Sequence, residues 1–552
     1  MKFYKKWQFR LALATILSFT LVLALSNRDI YKEISKSVRL YNEVYKQIYT
    51  NYVDPIKVEE FTEISIKNMV KELDPYTVFL TAEEREPLDM LTKGEYGGIG
   101  LRISTRRDTL TVISPMEGSP AKRAGIFPGD QILKVDSIST IGLSLNKTAK
   151  MIRGKVGTKV KLTIRRPGIP GECVYALTRE KIKVVDVTYS GLLQDDVGYI
   201  RLSGFSKGAS DEVRQAITKL SKDGSNLKAL ILDMRGNPGG LLTEALKVSE
   251  IFTQIGDTLL FTRGRTPASN KVFIANQKPF LNPNVKVAVL IDRGSASASE
   301  IVSGIIQDLD RGIVLGRPSF GKGLVQTVFR LDKIHSIKIT TAKYYIPSGR
   351  LIQKPDYLKE PDLVESNIPE DSIFYSHNGR KLKGGGGINP DIEVSQNEMP
   401  TLIRELWRQN MFYTFAIKYK SDHPGISENI EIDDEIVDKF RKYLIDTDFH
   451  YNMENEKELR NLEEKLMSDD RFMNLKGVFS QYYSIFDSTK ANEFNKSTSF
   501  IKQGLTNEFA TLIGGLSGRV KASLDDDLFV NKTLDVLLDN VIYETALGFS
   551  SK

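Results

Sequence analysis

Three stretches, LKALILDMR, VKVAVLID and IVLG, are apolar almost without a break, and nothing else in this 552-residue chain narrows its fold as much. A strand with one wet face alternates apolar and polar side chains, so a strand without alternation is buried on both faces. Segments of helical length lie before and between these runs: DEVRQAITKL after the strand GYIRLSGF, then LLTEALKVSEIF and GSASASEIVSGIIQDL. Such strand–helix alternation predicts a mainly parallel sheet covered on both sides, here across residues 183–398. Strands around VQTVFRL and SIKITTAKYY follow, and KGGGGINPDIEV reads as a connector ending in a strand.

The chain is too long for one core, since single cores stop growing near ~250–300 residues. Residues 27–92 read as helical through YNEVYKQIY and FTEISIKNMVKEL. Residues 93–182 hold short strands and two capped helices. Ser119, Pro120 and Gly125 supply the N-cap, first position and stop of one; the other runs near Leu145–Ile152 and ends at Gly154. The pattern GGIGL, SPAKRAG, GDQILKVD, IRG resembles a PDZ domain. Residues 399–552 read as helices, with Leu402, Leu406, Tyr413 and Ile417 on one face, Ile436, Phe440 and Leu444 on another, and Leu534, Leu538, Val541 and Thr545 on a third. They carry no chemical motif and read as a packing or docking domain.

The N-terminus reads as an address. Lys2, Lys5, Lys6 and Arg10 precede LALATILSFTLVLAL, and Ala24-Leu25-Ser26 fits a small-x-small cleavage site. A helix of that run measures roughly 22 Å, short of the ~30 Å hydrocarbon core. Segment 1–26 is therefore expected to be an export signal cleaved after about Ser26, with a retained inner-membrane anchor as the alternative. Either places the bulk of the chain outside the cytoplasm, in a bacterial periplasm or envelope. Cys173 is the only cysteine, so neither an intrachain disulfide nor a thiolate metal site is available. The formal charge of +7, from 77 basic and 70 acidic residues without a dense basic run, argues against a nucleic-acid partner.

In DRGSASASEIVSG an apolar strand empties into a small-residue turn and then a helix, whose first N–H groups point at whatever sits there. Such a junction suits a nucleophile, because those groups can stabilise an oxyanion. The structural alternative is a capping box made by Ser297 and Glu300. A serine hydroxyl needs a base. None of His335, His377, His423 and His450 sits on a motif, which leaves lysine, once burial has removed its charge. Lys322 in IVLGRPSFGKG lies between glycines, next to Phe320 and with no carboxylate adjacent in sequence. The same loop imitates a nucleotide-binding loop. Gly323, however, stands where Mg²⁺ binding wants Ser or Thr, and a strand pattern follows where a helix should open.

LDPYTVFL, the PDZ pattern, LDMRGNPGG, GSASASEI, GRPSFGKGLVQ and GGINPDI occur in that order, and over about residues 40–395 the chain resembles the carboxy-terminal processing (tail-specific) peptidases, PDZ-containing serine proteases with a Ser/Lys dyad. The resemblance implies a multidomain α/β fold: a PDZ domain and a crotonase/Clp-protease-like core, flanked by helical regions. It selects the middle serine, Ser297, as nucleophile, Lys322 as base and Gln326 to orient the lysine. It implies oxyanion donors from Ala298 and from Gly239 or Gly240. Gly236 departs from the family's more usual polar residue, with a small effect on that turn expected. An aspartate implicated in some relatives matches Asp308, which on an unbroken helix stands roughly 16 Å from Ser297 and is read as structural.

The PDZ likeness implies that a peptide adds as a strand, its terminal carboxylate held by N–H groups around Gly98-Ile99-Gly100-Leu101 and its last side chain by Leu145, Ala149 and Ile152. The expected activity is endopeptidase cleavage of proteins or peptides bound by their C-termini, without metal or organic cofactor. The helical termini are compatible with a homo-oligomer or a regulatory adaptor. The alternative is a catalytically inactive PDZ adaptor of the cell envelope.

Overall fold

The computed structural model describes residues 31–106, 109–223, 227–358, 372–395, 399–423, 425–426, 430–468 and 470–549. Segment 1–26, read as an export signal, lies outside them. Among the described residues no helix is long and apolar enough to cross a membrane. The described residues divide into two units, 31–79 and those from 80 onward. The described part of the first contains helices 31–51 and Val58–Lys71, pinned together by the Tyr45 hydroxyl on Thr62 Oγ1 at 2.7 Å and by the Tyr45 ring 5.8 Å from Phe61.

The second unit is multidomain α/β, as the apolar runs predict. Its main sheet runs in the order Val187–Leu192, Val197–Leu202, Ala229–Asp233, Lys286–Ile291, Ile313–Gly316, Ile392–Glu393. The first pair is antiparallel and every later neighbour parallel. Successive side chains divide cleanly between two cores. Leu230, Leu232, Val287, Val289 and Val314 face helices Ala209–Asp223, Leu242–Ser249 and Ala298–Asp308. Ile231, Ala288, Leu290, Ile313 and Leu315 face the other way.

That second face is covered by an unexpected element. Leu524, Phe529, Val530, Leu534, Leu537, Tyr543 and Leu547, from helices Leu528–Leu538 and Asn540–Ala546 and the segments beside them, complete the core against the sheet. Full burial of each large apolar side chain contributes about 1.5–3 kcal/mol. The rest of the C-terminal region keeps a core of its own, built on Leu406, Phe412, Phe440, Leu505 and Phe509. Two predicted helical faces are interrupted. Asn410, at φ 58°, separates Leu402 and Leu406 from Tyr413 and Ile417. Asp539 caps a new helix through Val541 N–H and Ile542 N–H, which resets the phase, buries Tyr543 and leaves Leu538 and Val541 exposed.

The PDZ sheet comprises Leu101–Arg106, Thr109–Pro115, Gln131–Val135, Lys159–Arg165 and Cys173–Thr178 around a separate core that includes Ile99, Val112, Ile132 and Leu162. Ser119 caps Pro120–Arg123 by accepting from Lys122 N–H, and Ser144 does the same for Leu145–Ile152 through Lys147 N–H. A further antiparallel sheet includes Leu324–Arg330 paired with Ser336–Tyr345. The loop bearing Lys322 thus runs into a hairpin strand and not a helix, which disposes of the nucleotide-loop imitation.

Candidate active site

The strand Lys286–Ile291 ends in the turn Asp292–Ala296, and helix Ala298–Asp308 starts directly after Ser297. The three alternating serines have different roles. Ser295 Oγ donates to Met234 O at 2.8 Å and Ser299 Oγ to Asn237 O at 2.9 Å, so both fasten this turn to the loop after Ala229–Asp233. Ser297 is only half-buried and makes no side-chain cap hydrogen bond. It sits at φ 55°, ψ −110°, a conformation that costs a non-glycine residue about 1–3 kcal/mol and persists only where surroundings impose it.

Glu300 imposes it. The carboxylate half of the expected capping box forms, with Ser297 N–H donating to Glu300 Oε2 at 2.7 Å. The same oxygen accepts Lys322 N–H at 2.9 Å. Oε1 accepts Gly321 N–H at 2.6 Å and Ser319 Oγ at 2.5 Å. One fully buried side chain therefore holds the serine turn and the lysine loop together by their backbones. On the carbonyl side the Tyr344 hydroxyl reaches Ser297 O at 3.2 Å and also donates to Lys322 O. Burial raises the Glu300 carboxyl from its ordinary 4.5 to about 6, against the pull of its hydrogen bonds.

Lys322 is half-buried. Its flanking glycines are obligatory. A Cβ on Gly323 would meet Gln353 N at 2.7 Å, and Gly321 holds φ 88° against the Lys354 side chain. Phe320 stands next to Gly321 in the same loop. It is 44% exposed, with Lys354 Nζ 5.7 Å from its ring centroid. Gln326 lies at a bulge in its hairpin, and its amide donates to Thr340 Oγ1 at 3.4 Å. Asp308, at the other end of helix Ala298–Asp308, is buried against Arg350 at 2.7 Å.

The oxyanion candidates differ from one another. Gly239, at φ 97°, is packed so tightly against Ser297 that an added Cβ would lie 2.9 Å from both Ala298 N and Ser297 Cβ. Its N–H donates to Asn237 Oδ1 at 2.9 Å. Among the described residues the N–H groups of Gly240 and Ala298 donate to no protein acceptor. The departure at Gly236 takes φ 68°, and its N–H donates to Asp292 Oδ1 at 2.7 Å.

In the PDZ domain a cavity of about 40 Å³ is lined by Gly98, Ile99, Gly100, Leu101, Ala149 and Ile152 of the expected set. Leu145 is not among its lining residues. Tyr96, Ile103 and Arg153 are, with the Arg153 guanidinium 5.5 Å from the Tyr96 ring centroid. Arg153 lay in the quoted IRG pattern, and its charge was the available signal.

Residues 196–364 match the family described as Peptidase family S41, residues 111–166 a PDZ domain, and residues 402–537 a domain described as "Probable PDZ-protease, C-terminal helical domain". The chain is 34% identical over 400 residues to a carboxy-terminal-processing protease of Bartonella bacilliformis, covering 69% of this chain and 90% of that protein. It is 34% identical over 468 residues to a probable CtpA-like serine protease of Staphylococcus epidermidis (80% and 91%), and 31% identical over 362 residues to the carboxy-terminal processing protease CtpA of Bacillus subtilis (65% and 76%).

Because its folded value lies above its ordinary one, Glu300 contributes stability below about pH 4.5 that is lost as the pH rises through about 6. Glu300→Gln places an NH₂ where donors converge. It should lower kcat at least tenfold and flatten the stability–pH slope between those values, as read by steady-state kinetics and by denaturant titrations across that range. A kcat within twofold of the parent would refute the positioning role.

Proposed function

The chain belongs to peptidase family S41 as a carboxy-terminal-processing serine protease, and we propose that it cleaves by a dyad of Ser297 and Lys322. The observation that carries this reading is the backbone clamp, in which one carboxylate oxygen holds the N–H of both residues. The engagement of Ser295 and Ser299 elsewhere supports Ser297 as the reacting serine.

In the first step neutral Lys322 Nζ takes the Ser297 proton as Oγ attacks the scissile carbonyl carbon. The negative charge collects on the carbonyl oxygen, where the N–H groups of Ala298 and Gly240 receive it. Gly239 N–H joins them if Asn237 releases it. Lys322 then returns the proton to the departing amine, leaving an acyl-enzyme. Water attacks the ester carbonyl as it gives a proton to Lys322, and Lys322 passes that proton to Ser297 Oγ as the acyl bond breaks, which frees the serine and the carboxylic acid product and leaves the lysine neutral again. Gln326 would orient the lysine. No metal or organic cofactor takes part. An inactive adaptor would gain nothing from holding Ser297 at a strained φ.

The PDZ cavity supports capture of a protein C-terminus, its carboxylate at the N–H groups of Gly98 to Leu101 and beside the Arg153 charge, its side chain toward Ala149 and Ile152. Leu145 would sit at the mouth. We place this activity outside the cytoplasm on the strength of the basic and apolar segment 1–26. Helical surfaces would offer sites for a second copy or a regulatory adaptor.

Ser297→Ala and Lys322→Ala should each reduce peptide hydrolysis by at least a thousandfold, and a serine-reactive fluorophosphonate should label the parent at Ser297 only. Undiminished turnover by either variant refutes the dyad. Amidating the C-terminus of a substrate peptide should cut kcat/KM at least tenfold, and equal rates would refute carboxylate capture. N-terminal sequencing of envelope-fractionated protein should begin near Asn27 or, for a retained anchor, at the original start; recovery in the cytoplasm refutes export.

A further inference from the structure

The C-terminal helical region reaches the active centre through one turn of helix. Arg235 lies in the loop that leads from strand Ala229–Asp233 to Gly239 and Gly240. Its guanidinium forms a two-pronged pair with Asp527, Nη1 to Oδ1 at 3.0 Å and Nη2 to Oδ2 at 2.7 Å, across 292 residues of sequence. Asp527 is also the N-cap of helix Leu528–Leu538, where Oδ1 accepts Phe529 N–H at 2.9 Å and Val530 N–H at 3.2 Å. Both members of the pair are largely buried, at 13% and 17% side-chain exposure, so water screens the contact little.

A second contact comes from the same turn. The ring of Phe529 lies 5.2 Å from the Arg235 guanidinium and 5.8 Å from that of Arg317. Arg317 opens the loop that carries Lys322, and its N–H donates to Ile291 O at the end of the strand before the serine turn. The first turn of this helix therefore touches one guanidinium from the oxyanion side and one from the lysine side.

The other hydrogen bonds that fix residues 234–237 come from the peptidase core. They include Arg201 donating to Arg235 O at 2.6 Å, Met234 N–H to Leu290 O, Ser295 Oγ to Met234 O, Gly236 N–H to Asp292 Oδ1, Asn237 Nδ2 to Leu202 O, and Ala296 N–H and Ser299 Oγ to Asn237 O. The Arg235 side chain itself is held by Asp233 from behind and by Asp527 from in front. A salt bridge that served stability alone would need no link to this loop, and capping alone would need no guanidinium.

We propose that Asp527 is a positioning residue for peptide-bond cleavage. Through Arg235 it sets the loop that presents Gly239 and Gly240 to the developing oxyanion, so that a residue of the C-terminal helical region tunes the chemical step. This inference rests on the Ser297-centred reading above.

Asp527→Asn separates the two roles, because asparagine caps a helix as well as aspartate does but carries no charge for Arg235. Asp539→Asn, at the cap of the next helix, is the control with the same chemical change and no contact to the loop. The full chain should be assayed on unfolded casein, with fluorophosphonate labelling of Ser297 followed in parallel and unfolding monitored by circular dichroism. The expected result for Asp527→Asn is kcat and labelling rate lowered about tenfold, KM within twofold and an unfolding midpoint near that of the parent; Asp539→Asn should leave all of these unchanged. Parent-like kcat in Asp527→Asn, an equal loss in Asp539→Asn, or a loss that only tracks the unfolded fraction overturns the proposal. Ser297→Ala, run alongside, keeps the two readings apart: activity surviving there sinks the dyad, whereas abolished activity there with an unaffected Asp527→Asn sinks only this inference.

Discussion

Two oxygens of one buried carboxylate hold the serine turn and the lysine loop together. Glu300 stands on the first turn of helix Ala298–Asp308 and accepts from the backbone of Ser297 on one side and of Gly321 and Lys322 on the other, with the Ser319 hydroxyl as fourth donor. A buried carboxylate without partners would be prohibitively costly, and here every partner belongs to a segment that must be placed. The clamp works through main-chain groups, so it fixes where Ser297 and Lys322 emerge from their turns. Tyr344 completes it from the carbonyl side. The strained φ of Ser297 is a consequence, since the residue accepts a poor conformation to keep its N–H on Glu300.

A second buried carboxylate organises the opposite wall. Burial alone would raise Asp233, but the Arg235 and Arg201 guanidiniums outweigh it and hold the carboxyl well below the usual range. The two sites solve the same problem differently. Glu300 relies on neutral donors and remains close to titrating, whereas Asp233 relies on full positive charges and remains ionised throughout the working range. The loop between Asp233 and Gly240 is thereby rigid at its root, and the glycine at 239 can approach the serine closely enough to exclude any Cβ.

The main sheet was legible in the sequence because LKALILD and VKVAVLID lack alternation, and the physics behind that pattern is local. The PDZ domain was legible for the same reason, its caps and turns being written in adjacent residues such as Ser119, Pro120 and Gly125. Glu300 could be read as half of a capping box, but its bonds to the lysine loop could not, because they close over more than 20 positions with no periodicity to mark them. Tyr344 sits in a strand whose pattern says only that it is a strand. The role of residues 524–547 was hidden for a related reason: an apolar helical face states that something must cover it, not that the partner is a sheet assembled from residues some 200–340 positions earlier.

That shared layer has a consequence for how the molecule comes into being. On a ribosome, strands Val197–Leu202 to Ile313–Gly316 exist long before helices Leu528–Leu538 and Asn540–Ala546 do, so Tyr199, Ile231, Leu290 and Leu315 wait with no cover from them during elongation. A nascent chain at that stage has a serine turn and a lysine loop but only half of the scaffold beneath them. The second face of the sheet is thus complete only once the chain through residue 547 is present to cover it.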